Sequence, residues 1–122
     1  MFDERSPIYR QIADQISADV LGGELAADEQ VMSTNQYATF YRINPATAAK
    51  AFQLLVDEGV LYKRRGLGLF VAADAREKLR ARHRARFYPD VIEPMLREAA
   101  AIGISRDDLI AYITASSPEE GK

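Results

Sequence analysis

The chain contains no cysteine and a single histidine, His83. The first absence excludes a disulfide framework, a zinc–thiolate site and a cysteine nucleophile, and it fits a reducing compartment. The second excludes a histidine-rich metal site. No apolar run approaches the roughly 20 residues that a membrane span needs. Met1-Phe2-Asp3-Glu4 lacks the basic-then-apolar pattern of a secretory signal, so a cytoplasmic location and no membrane partner are expected. A nucleophile–histidine–acid set and a phosphate-binding glycine loop are also missing. The stretch from Arg65 to Gly68 is too short and hairpin-like for a P-loop. No enzymatic activity and no cofactor are therefore expected. Net charge is small, with 16 basic against 18 acidic side chains and a formal −2. That sum alone argues mildly against a nucleic-acid partner.

The distribution of charge matters more than its sum. From Arg42 to Arg65, five basic residues (Arg42, Lys50, Lys63, Arg64, Arg65) stand against two acids, Asp57 and Glu58, a local +3. The chain has 122 residues, 48% of them hydrophobic, enough for one compact domain or one domain with an appendage.

The stretch from Arg42 to Phe52 reads as the start of a helix running from Pro45 to Glu58. Asn44 can cap it, and Pro45 fits the first position, where an N–H is not needed. Ala48, Ala51, Phe52 and Leu55 form an inward stripe at helical spacing, behind a small polar front. Upstream, Ser6-Pro7 signals a helix start with Ser6 as cap. Ile8, Ile12, Ile16 and Val20 recur every fourth residue, and Gly22-Gly23 ends that helix. Val31-Met32 fits a very short strand. Ser33 and Gln36 have capping-box spacing, opening a short helix that reaches about Phe40 with Tyr37 and Ala38 inward. Gly59 ends the main helix. Val60 to Lys63 and Leu69 to Val71 read as strands about an Arg64–Gly68 turn.

Helix, helix, turn, helix, hairpin is the order of a winged helix-turn-helix. The expected fold is therefore mainly α with a small β-hairpin: an N-terminal winged helix-turn-helix over residues 1–72, then a short two-helix tail over 73–122. In the tail, Ala75 to Ala101 is helical in composition, with Pro89 and Pro94 expected to bend or break it. Gly103 is a stop, Ser105 starts a last helix, and Ser116 to Lys122 has the texture of a frayed end.

Several spaced elements resemble GntR-type transcription regulators. They are Pro7-Ile8-Tyr9 with Gln11-Ile12-Ala13, and Gly23-Glu24-Leu25 before the helix-turn-helix. The run Ile43-Asn44-Pro45-Ala46-Thr47, then Lys50-Ala51, Glu58-Gly59-Val60-Leu61 and Arg64-Arg65-Gly66-Leu67-Gly68-Leu69-Phe70-Val71, resembles the YtrA-like branch. The pattern spans roughly residues 6–72. The resemblance implies a bacterial, homodimeric, DNA-binding regulator, commonly a repressor, acting on a two-fold symmetric operator. Met32, Asn35, Ala46 and Leu69 depart from the family's usual proline, arginine, larger polar residue and threonine.

Candidate DNA-binding residues fall into three sets. Asn44, Ala46, Thr47 and Lys50 lie on the leading turns of the second helix of the motif, where amide, hydroxyl and ammonium groups can meet base edges. The plainer alternative makes Asn44 a cap and Lys50 a solvated charge. Ser33, Thr34 and Asn35 begin the preceding helix, whose free N–H groups suit a phosphate, unless Ser33 is consumed by its own capping box. Lys63, Arg64, Arg65, Gly66 and Gly68 form a basic wing that can lie over the minor groove.

Arg76, Lys78, Arg80, Arg82, Arg84 and Arg86, with His83, form a basic run best explained as a solvated helix face, with phosphate contact or a partner's acids as alternatives. Phe87, Tyr88, Val91, Ile92, Met95, Leu96, Leu109, Ile110 and Ile113 are more apolar surface than a short tail can hide, which suits a homodimer interface. The tail also leaves room for a small-molecule effector that no residue set identifies. The competing function is a winged-helix protein–protein interaction module without DNA binding.

Overall fold

The computed structural model describes residues 6–116. The expected frayed end after Ser116 lies outside them. Contacts divide the chain into two compact units, Met1–Arg82 and His83–Lys122.

In the first unit, α1 (Ile8–Leu21), α2 (Thr34–Tyr41) and α3 (Pro45–Asp57) precede a hairpin of β1 (Leu61–Arg64) and β2 (Gly68–Val71), and α4 begins at Ala75. The strands are antiparallel, pairing Leu61 with Val71 and Arg64 with Gly68. The core is one cluster. Ile12, Ala13, Ile16 and Val20 of α1 meet Tyr37 and Ala38 of α2 and Ala48, Ala51, Phe52 and Leu55 of α3. Val60, Leu61 and Val71 close it from the hairpin side. Burying each large apolar side chain of this set contributes about 1.5–3 kcal/mol.

The helix ends follow local rules with one exception. Gly59, at φ +80°, ends α3: the Val60 N–H donates to the Leu55 carbonyl at 2.9 Å and the Gly59 N–H to the Val56 carbonyl at 3.0 Å. This is the Schellman arrangement, with buried Leu55 and Val60 as its apolar pair. The turn between α2 and α3 uses the same bonding, with the Ile43 N–H on the Ala38 carbonyl at 3.0 Å. There the left-handed position is held by Arg42, at φ 57° and ψ 50°, a conformation that costs a side-chain-bearing residue about 1–2 kcal/mol.

Two expectations are corrected. Ser6 does not cap α1: Pro7 occupies the cap position, and its carbonyl accepts from the Arg10 and Gln11 N–H groups at 3.1 and 3.2 Å. The Gln11 amide instead reaches back to the Ser6 carbonyl at 2.8 Å. Val31-Met32 is not a strand by itself. The segment Asp28–Val31 runs along β2, with bonds from the Asp28 N–H to the Val71 carbonyl and from the Val31 N–H to the Leu69 carbonyl, and Met32 lies exposed beyond that pairing. Ala75 and Leu79 at the start of α4 are buried with the core of the first unit.

In the second unit the helical path continues through both prolines. A π-helical turn (Tyr88–Ile92) links α4 (Ala75–Phe87) to α5 (Glu93–Ala101), and the Glu93 N–H donates to the Tyr88 carbonyl five residues back. Each proline sits at the first or second position of its segment, and the wider turn absorbs the ring and its missing N–H. Ser105 caps α6 (Arg106–Ala115) in a capping box with Asp108.

Tyr37 carries an unpaired polar atom into the core. It is 6% exposed, and its hydroxyl has no hydrogen-bond partner among the described residues. Its ring stacks between Tyr41, 4.5 Å away, and the edge of Phe52, 5.4 Å away. Burial first, then the nearby Tyr41 and Asp19, push its pKa up to about 12. The fold therefore favours the neutral phenol. That contribution is intact below about pH 10, the unfolded value, and is lost as pH rises through about 12. Replacing Tyr37 with Phe should leave stability at pH 7 unchanged or higher by about 1 kcal/mol, since no hydrogen bond is lost. It should also make the alkaline loss of stability shallower. Urea unfolding at pH 7 and across pH 9–11 measures both; a variant clearly less stable at pH 7 would mean that the hydroxyl is bonded.

Candidate nucleic-acid interface

The geometry of α3 follows from its inward stripe. Ala48 and Ala51 have no exposed surface, so α3 lies close against its neighbours, and Ala46, Ala49, Lys50 and Gln53 are left on the outward side. Asn44 holds the start, its Oδ1 accepting from the Ala46 N–H at 2.7 Å. That consumes the oxygen but not the amide nitrogen, so the cap and a donor toward a ligand coexist in one side chain. Thr47 is half-buried at the next turn. Lys50 is not a free solvated charge: its Nζ lies 4.3 Å from the centre of the Tyr9 ring on α1, a cation–π contact.

The set at the start of α2 divides. Ser33 is engaged by its capping box, its Oγ accepting from the Gln36 N–H at 3.1 Å and its own N–H donating to Gln36 Oε1 at 2.9 Å. Ser33 and Thr34 line a cleft of about 350 Å³ with Ala49, Gln53, Lys63 and Gly68. This cleft brings together three parts of the predicted site: the start of α2, the outward side of α3 and the base of the wing. Asn35 lies apart, on the outer side of α2 beside exposed Met32 and Phe40.

The wing is closed by the Leu67 N–H donating to the Arg64 carbonyl at 2.8 Å, with Gly66 at φ +77° in the third position of the turn. Lys63 and Arg65 are exposed, whereas the Arg64 guanidinium lies back over the Phe70 ring at 5.2 Å. Gln30 anchors the tip, its amide donating to the Leu67 carbonyl at 2.6 Å. A side chain at Gly68 would place its Cβ 2.8 Å from that same amide, so the anchor and the glycine depend on each other. At the base, the Tyr62 hydroxyl donates to Asp28 Oδ1 at 2.8 Å, a bond that raises its pKa.

Sequence reasoning missed Gln30, Tyr9 and Gln53. Gln53 falls three residues after Lys50 on the same side of α3, a spacing that could have flagged it. Gln30 meets the wing across 37 residues, and no local pattern announces such a pairing. Within the basic run of α4, Arg80, His83, Arg84 and Arg86 lie on an exposed helix face, as the first alternative expects, while three other cations have a further role. Arg76 Nε donates to the Leu21 carbonyl at 3.1 Å, Lys78 Nζ to the Gly59 carbonyl at 3.4 Å, and Arg82 Nη2 to the Glu58 carbonyl at 2.8 Å. These cations serve the carbonyl ends of α1 and α3, where the helix dipole favours positive charge. Arg82 also lies 3.7 Å from the Glu58 carboxylate. No group of His, Cys, Asp and Glu able to hold a metal occurs among the described residues.

A capped helix with a dry inner stripe and a polar outward side, set beside a basic hairpin, defines a winged helix-turn-helix of the kind that reads DNA. The family model for bacterial regulatory proteins of the gntR family matches residues 8–71. The chain belongs to that family, in its YtrA-like branch, and is a DNA-binding regulator, not an enzyme. It is 27% identical over 119 residues to the HTH-type transcriptional repressor YtrA of Bacillus subtilis, covering 96% of this chain and 91% of that one. It is 38% identical over 72 residues to the repressor NagR of the same organism, but there the match covers 59% of this chain and 30% of NagR. Among solved structures, a GntR family transcriptional regulator from Listeria monocytogenes superposes with a TM-score of 0.74 at 26% identity, covering 95% of this chain and all of that one. The AraR DNA-binding domain in complex with operator ORX1 superposes with a TM-score of 0.55 at 28% identity, over 59% of this chain and 93% of that one.

The capping role of Asn44 can be tested. Asn44→Ala should cost about 1 kcal/mol by removing the cap, whereas Asn44→Ser should keep the cap and stay within about 0.5 kcal/mol of the parent. Chemical denaturation of the two variants decides this; equal losses in both would show that the cap is not what Asn44 supplies.

Proposed function

We propose that the chain acts in the cytoplasm as a homodimeric transcriptional repressor, binding a palindromic operator with α3 in the major groove and the wing over the minor groove. The observation that carries this reading is α3 itself. Its core-facing stripe is fully used in packing, so the outward side with Lys50 and Gln53, flanked by half-buried Thr47, is left to face a groove. Ala46 and Ala49 keep that side slim, which permits close approach but offers few base-reading groups. Phosphate contacts then supply much of the affinity, from the start of α2 through Thr34 and from Lys63 and Arg65 on the wing. The relatives YtrA and NagR are named as repressors, and the AraR domain is bound to an operator, which supports the same assignment here.

Residues 73–122 supply the dimer contact in this reading. Phe87, Tyr88, Val91, Met95, Ile110 and Ile113 are exposed, and Ile92, Leu96 and Leu109 are half-buried. A second copy is the natural cover for so much apolar surface, and a two-fold reader needs two copies.

Selection of duplex sites from a random pool tests the reading. The expected product is an inverted repeat whose affinity falls steeply with salt. On that duplex, Thr47→Ala and Lys50→Ala should each weaken binding by about tenfold while the domain stays folded, Lys50→Ala losing no more than about 1 kcal/mol with its Tyr9 contact, and Lys50→Ala should lower the salt slope by about 1. Recovery of no symmetric site, or unchanged affinity in both variants, would contradict it.

A further inference from the structure

The wing tip carries a leucine where its neighbours are cations. Leu67 is 56% exposed. Its backbone is fixed at both ends, the N–H on the Arg64 carbonyl and the carbonyl on the Gln30 amide. The side chain therefore projects from a held turn, and ordering a leucine there costs little further rotamer entropy. Arg64 lies back along the hairpin over Phe70. The leading edge is then Arg65, Gly66 and Leu67: one cation and one short apolar knob, separated by a residue without a side chain.

A surface that accepts both together must offer negative charge beside an apolar recess. The minor groove of DNA does so, with phosphates on its rims and sugar C–H groups as its walls. Resting on the function proposed above, we infer that Leu67 sits against the floor of the minor groove and selects A·T pairs there. The chemical reason is the guanine 2-amino group. It projects into the minor groove of G·C pairs as a donor and is absent from A·T pairs. A leucine pressed over it displaces its water and offers no acceptor in return, so G·C is penalised. The hairpin thereby reads base identity as well as backbone, through exclusion instead of hydrogen bonding. Exposed Lys63 and Arg65 on the same hairpin favour DNA over an apolar protein surface as its occupant.

The test uses the full chain and a duplex recovered from the random-pool selection, with the base pairs under the wing set to A·T, G·C or inosine·cytosine. Inosine·cytosine keeps the major-groove face of G·C but lacks the 2-amino group. The parent chain is expected to bind the G·C duplex about tenfold more weakly than A·T, and inosine·cytosine within about twofold of A·T. Leu67→Ala should bind all three within about twofold of one another, with an unchanged unfolding midpoint. Inosine·cytosine bound as weakly as G·C, discrimination surviving in Leu67→Ala, or a parent chain indifferent to all three would overturn the inference while leaving the repressor reading standing. Failure of the parent chain to retain any duplex would overturn both.

Discussion

Everything in the first unit depends on how α3 divides its surface. Four positions, Ala48, Ala51, Phe52 and Leu55, are spent against α1 and α2 and are essentially without exposed area. The two alanines set the depth of contact and Phe52 fills the space between α2 and α3, edge-on to Tyr37. A bulkier residue at Ala48 or Ala51 would push α3 away from α1, because a close-packed core has no room for added methylenes. The outward side is what remains once that packing is satisfied, so the proposed reading surface is a consequence of the core.

The ends of the helices fix where that surface points. Asn44 starts α3, and Gly59 with the Leu55–Val60 pair stops it. The cations Lys78 and Arg82 then take up the carbonyls beyond the stop. The wing is held in turn by Gln30 at its tip and by the Tyr62–Asp28 bond at its base. Two charged residues, Asp28 at φ 66° and Arg42 at φ 57°, are held at positive φ, which glycine adopts freely; the cost is greater for the longer Arg42. Nothing in its contacts explains why arginine stands there.

Much of this was legible in the residues. Periodicity gave the inward faces of α1, α2 and α3, and turn chemistry gave the capping box of α2, the Ser105 start of α6, the Asn44-Pro45 start and the glycine stops. These are local signals, decided within one helical turn. What was hidden depends on distance. The third segment along β2, the anchoring of the wing by Gln30 and the placement of Lys50 over Tyr9 each join residues far apart in the chain. The bonds of Arg76, Lys78 and Arg82 in α4 were hidden for the same reason, since their acceptors are carbonyls at the ends of other helices and backbone atoms leave no trace in composition. Ser6 misled by one position, because Pro7 took the cap itself. Of the candidate site, the cleft formed by Ser33, Thr34, Lys63 and Gly68 came together as the hairpin folded back on α2 and α3, whereas Asn35 faces elsewhere.

The central claim is that α3 enters the major groove. Methylation interference on the selected duplex tests it directly, because the guanine N7 atom lies in that groove. Two symmetric clusters of guanines whose N7 methylation abolishes binding, about one helical turn apart, are expected. Binding indifferent to methylation at every guanine N7 would contradict the account.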